Sequence, residues 1–181
     1  MAAKALFPIV VLVATGLAAA EPPVVRVTWV NPVGFTDFGD RRHPDERTVE
    51  WYADELGGYL SRRAMRALSP GDRLEITVRD VDMAGAFEPT LPSSFTDVRI
   101  MKDIYPPRMD LDFVLARADG SRLSGSCQLV DRAYLMNATP LGSDPLRYEK
   151  AMLDGWVDVE LHADPARPPR ATWAKCHKSR E

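Results

Sequence analysis

The chain has 181 residues, enough for one domain with short additions at its ends. Its 23 basic and 26 acidic side chains are interspersed and leave a formal net charge of −3, which argues against the basic face of a nucleic-acid binder. After residue 20 no stretch is long and apolar enough to span a bilayer.

Residues 1–20 read as a signal peptide: Lys4 gives a short positive start, residues 6–13 are mostly apolar, and Ala18-Ala19-Ala20 offers small residues for cleavage before Glu21. The apolar run is too short for a span and is soon followed by Glu21, Pro22 and Pro23; the alternative is an uncleaved anchor helix. Cleavage would remove Lys4 and no acid, so the mature charge is 22 − 26 = −4. No cysteine lies near the cleavage point to carry a lipid, and a periplasmic or secreted protein is expected.

The mature part opens with a strand over 24–30, with Val25, Val27 and Trp29 on one face and Arg26 and Thr28 on the other. Asn31-Pro32 ends it, and a charged loop follows, in which Phe35 and Phe38 are expected to tuck under the fold. The 3–4 spacing of Val49, Tyr52, Ala53, Leu56, Leu60, Ala64 and Ala67 predicts a long helix over 46–68, with Asp45 as N-cap and Pro70-Gly71 as stop. Gly57-Gly58 costs about 1 kcal/mol per glycine and suggests close approach of another backbone.

A second strand over 73–81 points Leu74, Ile76 and Val78 inward. Strand, helix, strand predicts a crossover with the two strands parallel. Unbroken alternation would put Asp80 and Asp82 inward too, so the strand bulges or ends there, or these are site residues. Residues 83–96 read as loop and 97–104 as a short edge strand.

Next comes Asp103-Ile-Tyr-Pro-Pro-Arg108, a corner stiffened by two prolines, where Asp103 is expected to cap the backbone. The strand over 108–118 alternates strictly, with Met109, Leu111, Phe113 and Leu115 facing one way and Asp110, Asp112, Val114 and Ala116 the other. Asp119-Gly120 marks a hairpin turn. The return strand over 122–131 has Leu123, Cys127 and Leu129 inward and Ser124, Ser126 and Gln128 outward, so one side of the sheet should be wet.

Asp144-Pro145 predicts the start of a second helix, with Leu146, the stem of Lys150, Leu153 and Trp156 or Val157 as its buried stripe. Residues 159–181, with Pro165, Pro168 and Pro169 and a basic end, read as a loosely attached tail. Cys127 and Cys176 are either a disulfide, worth about 4 kcal/mol in the chain-entropy model, or a small buried hydrophobe and a tail thiol.

The predicted fold is a single α+β domain over 21–158. It has a mostly antiparallel or mixed sheet of four to five strands, with one long and one short C-terminal helix packed on it. Val30-Asn-Pro32 with Phe35-Thr-Asp-Phe-Gly39, Asp80-Val-Asp-Met-Ala-Gly-Ala-Phe-Glu-Pro89, Val98-Arg99, the Asp103–Arg108 corner and Asp144-Pro-Leu-Arg-Tyr-Glu-Lys150 resemble the exported bacterial family catalogued as domain of unknown function 3016. The resemblance spans residues 24–156 and implies a Gram-negative envelope setting. It offers no catalytic residue to carry over, and the chain after Asp158 extends past the usual family end.

No catalytic triad is legible: His43, His162 and His177 have no Ser or Cys in an activating context, and Cys176-His177 is too little for a metal site. The candidate site is Asp80, Asp82, Asp103, Tyr105, Arg108, Asp110 and Asp112. The leading function is an exported binding or structural module that meets an envelope protein or cell-wall component through its loops, without a cofactor. The alternative is a metal-assisted or acid/base hydrolase built on the five aspartates, with a divalent cation. It requires at least three carboxylates to converge; otherwise Asp110 and Asp112 lie on a solvated strand face and pair with arginines such as Arg79 or Arg108.

Overall fold

The computed structural model describes residues 21–39, 46–88, 98–137, 144–161 and 174–180. The chain forms β1 (Val24–Trp29), a short 3-10 turn (Pro32–Gly34), α1 (Glu46–Met65), β2 (Arg73–Asp82), β3 (Ala86–Phe87), β4 (Arg99–Ile100), β5 (Arg108–Ala116), β6 (Arg122–Val130), α2 (Tyr134–Asn137), α3 (Arg147–Glu160) and β7 (Ala174–Arg180). Five strands make one mixed sheet in the order β1-β2-β5-β6-β7, and β3 and β4 pair separately. The fold is α+β in a single domain.

The crossover through α1 makes β1 and β2 parallel, in register from Val24↔Arg73 to Trp29↔Val78. The other contacts in the large sheet are antiparallel. Val49, Ala53, Leu56, Leu60 and Ala64 on α1, with Met152, Leu153, Trp156 and Val157 on α3, bury against Leu74, Ile76, Val78, Leu111, Phe113, Leu115 and Leu129 of the sheet. Trp156 packs edge-on to Phe113, with centroids 5.7 Å apart. The opposite sheet face carries exposed or half-buried polar side chains, such as Thr28, Thr77, Asp112 and Ser126. One side is therefore wet, as the alternation implied. No helix among the described residues is long and apolar enough to cross a membrane.

Several boundaries differ from the sequence reading, each for a local reason. The bare patch at Gly57 receives a side chain rather than a backbone: an added Cβ there would stand 3.3 Å from the Trp29 indole nitrogen. The Asp45 cap lies outside the described residues. α1 ends at Met65, and the exit turn is pinned by Asp72, which is fully buried. The Asp72 carboxylate accepts N–H groups from Ser69 (3.0 Å) and Ala118 (3.0 Å) and pairs with Arg117 at 3.3 Å, so it ties the helix exit to the β5–β6 hairpin.

In that hairpin the Gly120 N–H reaches the Arg117 carbonyl, and Gly120 takes φ +88°. Gly125, a gap in the apolar series of β6, leaves room for the ring of its cross-strand partner Phe113, which an added Cβ would approach to 2.8 Å.

α3 starts two residues later than Asp144-Pro145 suggested. The Asp144 carboxylate folds a turn before the helix, accepting the Leu146 N–H at 2.9 Å and the Lys150 ammonium at 2.9 Å. The helix then runs to Glu160, and Leu161 is buried, so the domain continues past the expected boundary at 158.

The loosely attached tail is corrected in its last part, where Ala174–Arg180 is an edge strand antiparallel to β6. Two devices hold it that a hydropathy pattern does not report. One is the disulfide Cys127–Cys176, formed between directly paired residues with Cα atoms 4.1 Å apart. The other is an ion pair of 2.5 Å from Lys178 to the buried Glu160 on α3, outside hydrogen-bond alignment.

Candidate functional site

The double-proline corner is rigid because its carbonyls are claimed from several directions. The Lys102 carbonyl accepts the Tyr105 N–H (2.9 Å) and the Tyr134 hydroxyl (2.7 Å). The Tyr105 carbonyl accepts the Gly85 N–H (3.0 Å), and that of Pro107 accepts the Asp131 N–H (3.2 Å). Pro106 and Pro107 are both buried. Asp131 is wholly buried as well, and its carboxylate accepts the Ala133 N–H (3.0 Å) and the Asn137 amide (3.0 Å), which seats the four residues of α2 against the corner. Burial pushes the Asp131 carboxyl above the usual aspartate range despite those two donors.

The expected cap by Asp103 is not made. Asp103 is exposed, and among the described residues nothing donates a hydrogen bond to it. The corner's own backbone and Tyr134 do that work instead.

Of the five candidate carboxylates, Asp80 and Asp112 are engaged, each with a different partner. A bulge between Val78 and Asp80 shifts the alternation of β2, so Val81 is buried while Asp80 and Asp82 come to lie half-buried. Asp80 accepts the Thr36 N–H (2.8 Å) and hydroxyl (2.7 Å), clipping the loop after β1 to the end of β2.

Asp82 lies in a backbone bridge with Asp37 and pairs across the sheet with Arg108. Its carboxyl is raised by burial first and then by the charge of Asp37. Asp110 faces Asp80 on one side and Gln128 on the other. Asp112 accepts the Ser126 hydroxyl and pairs with Arg79 at 3.2 Å, on the solvated face. Tyr105 donates to Glu88 at 3.1 Å. Among the described residues no three His, Cys, Asp or Glu side chains converge to hold a metal ion, so the geometry that the hydrolase reading needs is not formed there.

Two residues outside the candidate set organise this end of the sheet. Arg99 grips the Asp37 carboxylate with both terminal nitrogens (2.7 and 2.9 Å), reaches the carbonyls of Gly85 and Gly39 (each 3.3 Å) and lies 4.5 Å over the Phe87 ring. Glu149 on α3 is buried and accepts the Ala84 N–H at 2.8 Å. The quoted sequence blocks thus meet in space as one loop cluster, joined through Thr36–Asp80, Asp37–Arg99, Gly85–Tyr105 and Ala84–Glu149. No local signal marked Asp37, because its partner Arg99 lies 62 positions away and spacing alone does not connect them.

Beside this cluster a cleft of about 420 Å³ opens at the corner. Asp103, Arg108 and Arg132 supply its charges, Gln128 a polar wall, and Ile104, Pro106 and Val130 an apolar one. Of the candidate residues, the cleft collects Asp103 and Arg108. Asp80, Asp82, Tyr105, Asp110 and Asp112 are not in its lining.

With the Asp103 cap not made, the contacts make Asp112 the more consequential of two aspartates. Asp112→Ala removes a hydroxyl contact and a partly exposed ion pair and is expected to cost about 1 kcal/mol, whereas Asp103→Ala should cost under about 0.5 kcal/mol. Paired urea titrations check this, and a larger loss for Asp103→Ala would contradict it.

No curated protein and no solved structure matches the chain. A family model does match, over residues 23–159, which takes in all the loop blocks described above and the cleft at their edge. The chain belongs to the family described as protein of unknown function (DUF3016).

Proposed function

We propose that this protein is an exported module that binds a component of the cell envelope in the cleft at the double-proline corner. The observation that carries the reading is the cleft itself. It is concave, about 420 Å³, and lined by charged and apolar side chains set on fixed backbone. Export is supported by the leader pattern of residues 1–20 and by the Cys127–Cys176 disulfide, because such bonds persist in oxidising compartments. The partner is an envelope protein or a cell-wall component.

The test has two arms. The mass of the protein recovered from its native host should correspond to a chain beginning at Glu21; a chain retaining residues 1–20 would defeat the export reading. Soluble cell-wall fragments and envelope extract, added to the isotope-labelled mature protein, should move backbone amide signals of residues 103–108 and 128–132. Shifts confined to other surfaces, or none, would defeat the binding reading.

A further inference from the structure

We infer that the cleft takes a zwitterionic, peptide-like ligand of about two residues, with its carboxylate on Arg108 and Arg132, its ammonium on Asp103 and an apolar side chain against Ile104 and Val130. This rests on the binding reading above and names its ligand class.

The argument starts from the backbone that carries the charges. Arg108 follows directly on Pro106-Pro107, whose φ angles are fixed and of which Pro107 accepts the Asp131 N–H at its carbonyl. Arg132 follows Asp131, which is locked by its N–H to Pro107 and by its carboxylate to Ala133 and Asn137. The strand pairing sets Arg108 opposite Val130, so the two cations issue from neighbouring strand ends rather than from separate loops. Neither guanidinium has a hydrogen bond or ion pair among the described residues, unlike Arg63, Arg99 and Arg117, which are tied to carboxylates. Asp103 is likewise without a hydrogen-bond donor on the described residues, and Ile104 is 65% exposed, a large apolar side chain left in water at the mouth of the cleft.

Two guanidinium forks favour a planar carboxylate, which each can bond bidentately. The carboxylate of Asp103 in the same cleft repels a second negative charge and favours a ligand ammonium. The two arginines repel a metal cation, and an uncharged sugar would leave Asp103 and Arg132 unmatched and Arg108 with only the nearby charge of Asp82. The apolar wall adds a preference for a ligand with an aliphatic side chain, and the volume lies within the range of small-molecule sites.

The test is a titration of the labelled mature protein, followed by amide shifts and by calorimetry, with alanyl-leucine, its N-acetyl form and its C-terminal amide. Alanyl-leucine should move the signals of residues 103–108 and 128–132, and capping either end should weaken binding about tenfold or more. Arg108→Gln and Arg132→Gln should each weaken the free dipeptide about tenfold and leave the amide unaffected. Asp103→Asn should erase the preference for a free amino group. All three residues are on the surface, so the variants should melt like the wild type, which circular dichroism checks.

Equal binding of the three compounds, binding unaffected by the arginine variants, or no binding overturns the proposal. If cell-wall fragments or envelope extract move the same signals while the dipeptide does not, the ligand class is wrong and the binding reading stands. If none of the three moves them, both fall.

Discussion

Reducing the Cys127–Cys176 bond, or replacing both cysteines by alanine, is expected to lower stability by about 4 kcal/mol and the melting temperature by roughly 8–16 °C. The two cysteines are 49 residues apart, so the bond removes a large share of the unfolded chain's freedom. The folded state depends on it as well, because β7 has little else to hold it. Lys175, His177, Lys178 and Ser179 are exposed, and Cys176 is its one side chain packed on the core among the described residues. What is left is the backbone ladder to β6 and the Lys178–Glu160 pair. Loss of the bond should therefore be accompanied by faster amide exchange along β6 than along β2 and β5, which keep strands on both sides. Alanine is the informative replacement, since a serine at the buried Cys127 would add an unsatisfied hydroxyl. Thermal melts with and without dithiothreitol, with reduction verified by mass, check the effect; unchanged melting of the reduced protein would rule it out.

The same strand shows why part of the fold was legible in the sequence and part was not. β5 buries every second residue from Met109 to Leu115, and α1 buries Val49, Ala53, Leu56, Leu60 and Ala64 at helical spacing, so both could be read from period alone. Ala174–Arg180 has no such alternation: as an edge strand it is fixed by hydrogen bonds and a covalent bond, and neither leaves a hydropathy pattern. β3 and β4, at two residues each, are too short to carry a period at all.

The candidate aspartates followed the same division. Alternation placed Asp110 and Asp112 on the open face, and Asp112 indeed pairs with Arg79 there. The bulge after Val78 broke the count for Asp80 and Asp82, although a bulge was one of the outcomes their polarity suggested. The cleft was half legible. Asp103 and Arg108 lie in one motif, but Gln128 and Arg132 join them only through the β5–β6 register and the α2 turn behind it.

Glu149 is where burial inside a helix stripe should have the clearest consequence for pH dependence. One carboxylate oxygen accepts the Ala84 N–H, and the other is buried with no hydrogen-bond partner. Burial therefore pushes its carboxyl above the ordinary glutamate value of 4.5; the Ala84 N–H and the charges of Arg99 and Arg147 oppose this without reversing it. The sign of the linkage follows. Below pH 4.5 both folded and unfolded chains keep this proton, and the site's full stability is present. As pH rises from there to the folded pKa, the unfolded chain releases the proton while the folded chain retains it, and stability falls by about 1.4 kcal/mol per pH unit.

Glu149→Gln keeps an oxygen for Ala84 and removes the charge. Urea titrations across pH 4 to 8 should show the variant gaining on the wild type as pH rises, with the two converging at the acid end. Asp82 and Asp131 are also raised, but they are present in both proteins, so their contributions cancel in the difference. Glu149→Ala should behave otherwise, costing about 1–3 kcal/mol at the acid end because the buried Ala84 N–H loses its acceptor. A wild type that stays ahead of Glu149→Gln at pH 8 would mean that the buried carboxylate is ionised and held by a partner. The tie between α3 and the loop cluster would then be an ion pair rather than a neutral hydrogen bond.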